Sequence, residues 1–291
     1  VQMTTLHPLD FEEFLWAKGK TLLADEIRRS CKADSMLNEQ LHREALIAYR
    51  EYLVVGGMPA VVRASLEAQP LMTDLEVRRT ILNAYTSDMS KYASPSESVK
   101  IRSAYESIPA QLAKENSKFQ YKMIRRGGRV SLYGDSIDWL VASGVVLKCV
   151  KCEHGFMPPM AYQDLSSFKL YMSDIGLLSA QAGITLKSLA GPELNQFSGA
   201  LAENYVAGAL AAKGFDLHYW ESKSKAEVDF LMVLNGSVIP VEVKAAENNR
   251  SRSLSVYTDR YKPEMAIRIS SKNFGFENGI KSVPLYAVFA L

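Results

Sequence analysis

Glu227-Val-Asp229 and Glu242-Val-Lys244 set two acids, then an acid and a lysine, at alternate positions of two runs rich in Val, Leu, Ile and Phe. Between the runs stands Asn235-Gly236, the strongest short-range signal for a tight hairpin turn. Side chains two apart on a strand share a face. Glu227 and Asp229 are therefore expected on one side of the first strand, with Val228 and Phe230 on the other. Glu242 and Lys244 are likewise expected to share one face of the second strand. Two readings of this display stay open. A solvated face of cross-strand ion pairs would contribute a few tenths of a kcal/mol to about 1 kcal/mol. A divalent-metal site would use the carboxylate oxygens, because Mg2+ is held by few carboxylates and keeps several waters. A lysine beside such an ion could orient water and stabilise charge developing on a phosphate.

The elements around the hairpin bear on that choice. Gly199–Lys213 reads as a helix that is apolar nearly all round, hence buried, and is closed by Gly214. Glu203 and Asn204 are its strongly polar interior positions, and Glu203 shares a face with Val206, Ala207 and Leu210. A carboxylate buried there must be paired, bound to a metal or neutralised. The polar face of the hairpin, with Lys244 or a metal, would satisfy it. The pattern around them predicts a strand over Phe215–Trp220, a helix over Ser253–Tyr261, and closing strands over Met265–Ile269 and Leu285–Phe289. Antiparallel strands with flanking helices make an α/β or α+β unit.

Upstream, residues 22–93 read as mostly helical. Leu41, Ala45, Ala48, Tyr49, Tyr52 and Leu53 recur at helical spacing until Gly56-Gly-Met-Pro59 breaks the pattern. A second helix is expected over Thr73–Tyr92, ended at a boundary by Ser94-Pro95-Ser96. Helices then follow over Val99–Lys114, kinked or split at Pro109, and over Leu132–Ser143, capped by Gly144. Val145–Val150 and a piece near Met160 are expected to pair as a hairpin, and helices followed by a hairpin read as a winged-helix module. Between those helices, Lys118, Lys122, Arg125, Arg126 and Arg129 fill a twelve-residue window that holds no acid. Such a cluster could neutralise backbone phosphates of DNA. It could equally be a solvated loop, since winged helices also contact proteins. Lys169-Leu-Tyr-Met-Ser-Asp-Ile-Gly-Leu-Leu178 reads as a connector into a helix, and Gly183, Gly191 and Pro192 mark a second boundary.

Two apparent motifs carry less. Gly19-Lys20-Thr21 resembles the end of a phosphate loop, but the first glycine of that loop would fall at Phe14 and no buried strand precedes it. Cys149-Val-Lys-Cys152 with His154 leaves a tetrahedral zinc short of ligands, so packing is the favoured reading. Near the N-terminus, Asp10 is expected to cap a helix, with Glu13 completing a capping box.

Composition sets the outer bounds. At 291 residues the chain is long enough for two or three domains, and 47% hydrophobic residues with net charge +2 describe an ordinary globular protein. Its three cysteines favour a reducing cytoplasm over a disulfide framework. No run reaches the length of a membrane span. The chain begins with Val1, as expected for a piece of something longer.

Glu203, Asp229 and Glu242-Val-Lys244, in the order helix, strand, hairpin, strand, resemble the PD-(D/E)XK nuclease superfamily. The resemblance implies a central mixed sheet flanked by helices and one or two Mg2+ or Mn2+ ions for phosphodiester hydrolysis. It implies Asp229 and Glu242 as metal ligands, with the Val243 carbonyl as a third, Glu203 completing the site directly or through water, and Lys244 positioning the attacking water. Pro240 departs from a clean central strand and is expected at the strand's start.

A wider resemblance covers almost the whole chain. His7-Pro-Leu-Asp-Phe-Glu-Glu-Phe-Leu15, Gly56-Gly-Met-Pro59, Lys169 to Leu178, Glu227-Val-Asp-Phe230 and Ile239-Pro-Val-Glu-Val-Lys244 together resemble the C-terminal part of the predicted AAA-type ATPases of bacteria and archaea. That resemblance implies a tail of an ATPase domain over residues 1–16, a helical segment over 17–94, a winged-helix-like domain over 95–187 and a nuclease-like domain over 188–291. The phosphate loop lies outside this sequence, so ATP belongs to the full-length protein. The implied partners are DNA and the chain's own N-terminal ATPase domain, with room for an oligomer. A regulatory module that binds DNA or protein without turnover is the alternative to a nuclease.

Overall fold

A computed structural model describes residues 5–91, 93–114, 117–189, 197–222, 226–245 and 252–291. Tyr92, Gly191 and Pro192, which entered the expected helix end and second boundary, lie outside the described residues, as do Val1–Thr4 of the expected tail. The helices are α1 (Phe11–Ala17), α2 (Thr21–Ala33), α3 (Glu39–Val55), α4 (Pro59–Leu66), α5 (Asp74–Lys91), α6 (Pro95–Glu106), α7 (Ile108–Leu112), α8 (Tyr121–Ile124), α9 (Val130–Ala142), α10 (Ile175–Gln181), α11 (Leu186–Leu189), α12 (Ser198–Ala212) and α13 (Arg252–Tyr261). The strands are β1 (Val146–Cys152), β2 (Gln163–Met172), β3 (His218–Glu221), β4 (Glu227–Leu234), β5 (Ser237–Val243), β6 (Ala266–Ser270), β7 (Gly275–Glu277) and β8 (Ile280–Pro284).

The strands form one mixed sheet in the order β2-β1-β3-β4-β5-β6-β8-β7. The chain is thus mixed α/β, with a central sheet flanked by helices. Within residues 198–270 the elements run α12, β3, β4, β5, α13, β6. There β3–β4 and β4–β5 pair antiparallel, and β5–β6 pair parallel. Asn235 and Gly236, at φ 49 and 80, make the tight turn, and Leu234 faces Ser237 across it. Pro240 lies inside β5, opposite Leu231, rather than at its start; pairing to β6 begins one residue later, at Val241.

A hairpin does follow the helices, as β1–β2, but its second strand is Gln163–Met172, Met160 lying in a 3-10 turn, and it belongs to this same sheet: β1 runs parallel to β3, with Val150 opposite His218 and Cys152 opposite Trp220. The sheet therefore passes through the expected boundary at residue 188. Lys169-Leu-Tyr-Met172 is the end of β2 rather than a connector. It is buried on both faces, so the alternation that announces a strand is absent. Leu285–Phe289, expected as a strand, lies in a 3-10 helix (Leu285–Ala290) buried against α2, α3 and α12. A short run buried all round has no periodicity to separate helix from strand.

Three of the quoted motifs meet at one point. Asp174 caps α10, accepting hydrogen bonds from the backbone of Leu177 (2.8 Å) and of Gly57 (2.7 Å). Leu9 donates its backbone N–H to Gly57 O at 2.8 Å, and Tyr52 donates its hydroxyl to Leu9 O at 2.6 Å. A Cβ on Gly57 would stand 2.0 Å from Leu9 O, so only glycine admits that approach. His7–Leu15, Gly56–Pro59 and the Ser173–Leu178 stretch are thus a packing knot. Residues 10–17 enter it through the capping box of Asp10 and Glu13 and the buried Phe11, Phe14 and Leu15.

Candidate functional site

The acids gather where β4 and β5 leave their turn-distal ends beside α12 and β2. On β3, His218 and Trp220 are two residues apart, yet they face Leu231 and Val228 of β4, which are three apart. The extra residue is a bulge at Asp229-Phe230, a device that re-aims side chains. Val228 and Leu231 consequently join Trp220 and Tyr257 in the small core beneath α13. Phe230 joins the main core on the other face, with its ring 5.8 Å from that of Tyr171. Simple alternation, which put Val228 and Phe230 together, fails at the bulge.

Asp229 is 9% exposed and accepts a hydrogen bond from the backbone N–H of Val243 at 2.7 Å. That bond ties β4 to the end of β5 just past their last paired residues, Phe230 and Val241. Glu242 sits between Val241 and Val243, both in the main core, so its side chain leaves β5 on the opposite face. It is 2% exposed and pairs with Lys244 at 2.7 Å. Lys244 is 40% exposed and forms the solvent side of the pair.

Glu203 is held from below by β2. Tyr171 donates its hydroxyl to Glu203 Oε2 at 3.1 Å, and Lys169 Nζ lies 3.4 Å from the same oxygen. Lys169 is 1% exposed, also meets Glu227 Oε1 at 2.5 Å, and stands over the Tyr219 ring at 5.2 Å. Asn204, the other polar residue of α12, bonds the edge of β2 twice: it accepts from Met172 N at 2.7 Å and donates to Met172 O at 3.0 Å. Glu203 therefore points where it does because its neighbour clamps the helix to the strand that carries Lys169 and Tyr171.

Charge in this region is unbalanced. Four carboxyl groups, Glu203, Glu227, Asp229 and Glu242, face two ammonium groups, Lys169 and Lys244, an excess of two negative charges if all four ionise and of one while Asp229 keeps its proton. Burial, then repulsion by Glu203, lifts the Asp229 carboxyl to about 8, against the opposing pull of Lys169 and the Val243 N–H. Burial likewise raises Glu227, with Lys169 opposing it. For Lys169, burial works against the charge, yet the carboxylates and Tyr171 outweigh it and hold the ammonium well above the ordinary lysine range. Lys244 is raised in the same way by Glu242.

The donor chemistry and the charge excess fit one hard divalent cation, which would offset the burial and the repulsion by Glu203 that raise the Asp229 carboxyl. The fit is one of charge and not of a preformed cage. Among the described residues no three His, Cys, Asp or Glu side chains are grouped to hold a metal ion. Each acid has a protein partner instead: Lys169 and Tyr171 for Glu203, Lys169 for Glu227, Val243 N–H for Asp229, Lys244 for Glu242. The structure thus brings Glu203, Asp229, Glu242 and Lys244 into one electrostatic neighbourhood, with Lys169, Tyr171 and Glu227 added. Of these, sequence reasoning missed Lys169 and Tyr171. A lysine inside Phe-Lys-Leu-Tyr-Met, at even spacing from a tyrosine, was the available signal.

The basic window divides. Lys118 pairs with Glu221 at 2.5 Å, beside the Glu221–Glu227 register pair of β3 and β4, and so lies next to the acidic site. Phe119 donates its backbone N–H to Phe168 O at 2.9 Å, fixing this segment to the outer edge of β2. Lys122, Arg125, Arg126 and Arg129 are exposed on and around α8. Arg125 and Arg126, with Lys100 and Ser103 of α6, line an open groove ahead of α9. The exposed face of α9 itself carries Asp135 and Asp138, and the helix holds no Lys or Arg. Cationic charge is therefore placed before this helix and not along it.

Cys149 and Cys152 are free, buried and on opposite faces of the sheet, the first in the main core and the second under α13. Burial raises both thiols, Cys152 to about 11. Side chains on opposite faces do not converge on one ion. No helix among the described residues is long and apolar enough to cross a membrane.

No curated protein matches the chain, nor does any solved structure. Residues 46–188, which carry the basic window and Lys169, match the family model of a domain of unknown function (DUF8612). Residues 198–288, which carry Glu203, Asp229, Glu242 and Lys244, match that of a second domain of unknown function (DUF4143).

Proposed function

We propose that residues 198–288 form a nuclease-like domain of the PD-(D/E)XK type, dependent on Mg2+ or Mn2+ and acting on DNA. The observation that carries this reading is Asp229: buried at a strand bulge, accepting the Val243 N–H at 2.7 Å, with the Glu203 and Glu242 carboxylates acting on it. Asp229 and Glu242 would hold the ion, with Glu203 completing the site directly or through water. When bound, such an ion supplies Lewis acidity toward a phosphodiester. Lys244, at the exposed rim and anchored by Glu242, places a fixed positive charge where a phosphate would approach. Lys122, Arg125, Arg126 and Arg129 offer a landing surface for the DNA backbone, supported by Lys100 in the adjoining groove. The motif resemblance and the match of residues 198–288 to the second family model support placing this unit beside an ATP-driven domain of the full-length protein; no helix among the described residues is long and apolar enough to cross a membrane.

A second reading, a DNA- or protein-binding module without turnover, is favoured by one observation: every acid of the site already has a protein partner. The two separate by assay. With Mg2+ or Mn2+, wild-type protein is expected to cleave single-stranded, duplex or branched DNA. Asp229→Ala and Lys244→Ala should lower the rate by about 100-fold or more. Cleavage by both variants at the wild-type rate sinks the site assignment. Binding without cleavage, with a salt dependence that weakens when Arg125, Arg126 and Arg129 are neutralised, gives the module reading.

A further inference from the structure

We propose that Lys169 is a built-in counter-ion that occupies the place of a second cation and limits this site to one divalent ion. The inference rests on the metal-site reading above and specifies its stoichiometry. Glu203 from α12 and Glu227 from β4 converge from different elements on a common point, the arrangement a bridging cation requires. That point is filled by Lys169 Nζ, 2.5 Å from Glu227 and 3.4 Å from Glu203.

The lysine is not a flexible surface group that happens to lie there. It is 1% exposed, comes from the buried end of β2 opposite Cys149, and is braced by the Tyr219 ring at 5.2 Å. Tyr171, two residues on and so on the same strand face, bonds the same Glu203 oxygen. An ammonium has three N–H donors and no vacant coordination position, so it ties the two carboxylates together without acting as a Lewis acid toward water or a phosphate oxygen. Its charge also repels a metal ion from that half of the site. What remains for an ion is the other half, Asp229 and Glu242, next to Lys244 at the rim. The lysine lies within the part of the chain matching the first family model and the acids within the second, so the hairpin β1–β2 supplies charge to a site built by its neighbour.

The test is a Mn2+ titration of the full chain at neutral pH, counting free ion by its paramagnetic signal. Wild-type protein is expected to bind one Mn2+ per chain. Lys169→Met, which keeps the apolar stem and deletes the charge, should bind two, and adding Glu227→Gln should return the count to one. Two ions in wild type overturn the proposal whether or not the variant folds, as does a Lys169→Met protein that gains none. If wild type binds no ion and Lys169→Met binds one, the counter-ion role stands and the metal-dependent function falls. If neither binds, both fall.

Discussion

Lys169→Ala is expected to lower the stability of the chain by about 3–5 kcal/mol, toward the lower end because Glu203 and Glu227 retain some contact with water. The loss does not measure the worth of an ion pair. It arises because deleting one partner of a buried cluster leaves the others uncompensated. Glu203 and Glu227 would face each other, with Asp229 nearby, around a space that held the ammonium. Lys169→Met should lose less, since it fills the volume, and both losses should shrink at low pH, where the carboxylates protonate. Chemical denaturation reads the difference directly. A change below about 1 kcal/mol, the range of an exposed pair, would show that the lysine is not the counter-ion the geometry makes it.

Asp229→Asn is expected to act in the opposite direction. The Asp229 carboxyl rises from an ordinary 3.8 to about 8, through burial first and Glu203 second. Between those values the folded chain binds more protons at this position than the unfolded chain. Stability therefore falls as pH rises through the window, at up to about 1.4 kcal/mol per pH unit for a single group. Asparagine carries no charge to desolvate and can still accept the Val243 N–H. The variant should match wild type near pH 4 and exceed it by a margin that grows toward pH 8, on the order of a few kcal/mol. Paired denaturation curves at several pH values decide it. A margin that does not change with pH would mean that Asp229 is already ionised in the folded chain.

Much of this site was legible in the sequence because its signals are local. Asn235-Gly236 fixes the hairpin, Glu203 stands out on an apolar helix, and Asp10 with Glu13 writes a capping box. What escaped was set by tertiary context. The bulge at Asp229-Phe230 comes from pairing with β3, and nothing in Glu-Val-Asp-Phe announces the extra residue. Lys169 lies some 30 residues or more from each acid it meets, on a strand whose buried end has no alternation. Leu285–Ala290 is apolar throughout because helices surround it, which hides its 3-10 geometry. The Gly56–Pro59 and Asp174 motifs were visible as motifs; their meeting over Leu9 belongs to the fold.

The central claim is that Asp229 is the anchor of a cation site, and Mg2+-dependent thermal unfolding of wild type and Asp229→Asn tests it most directly. A ligand that binds only the folded state stabilises it by about 2.7 kcal/mol at 100 times its dissociation constant. Wild-type protein should unfold at a temperature that rises with Mg2+ concentration, and Asp229→Asn should not respond. An equal rise in both proteins, or none in wild type, would contradict the account.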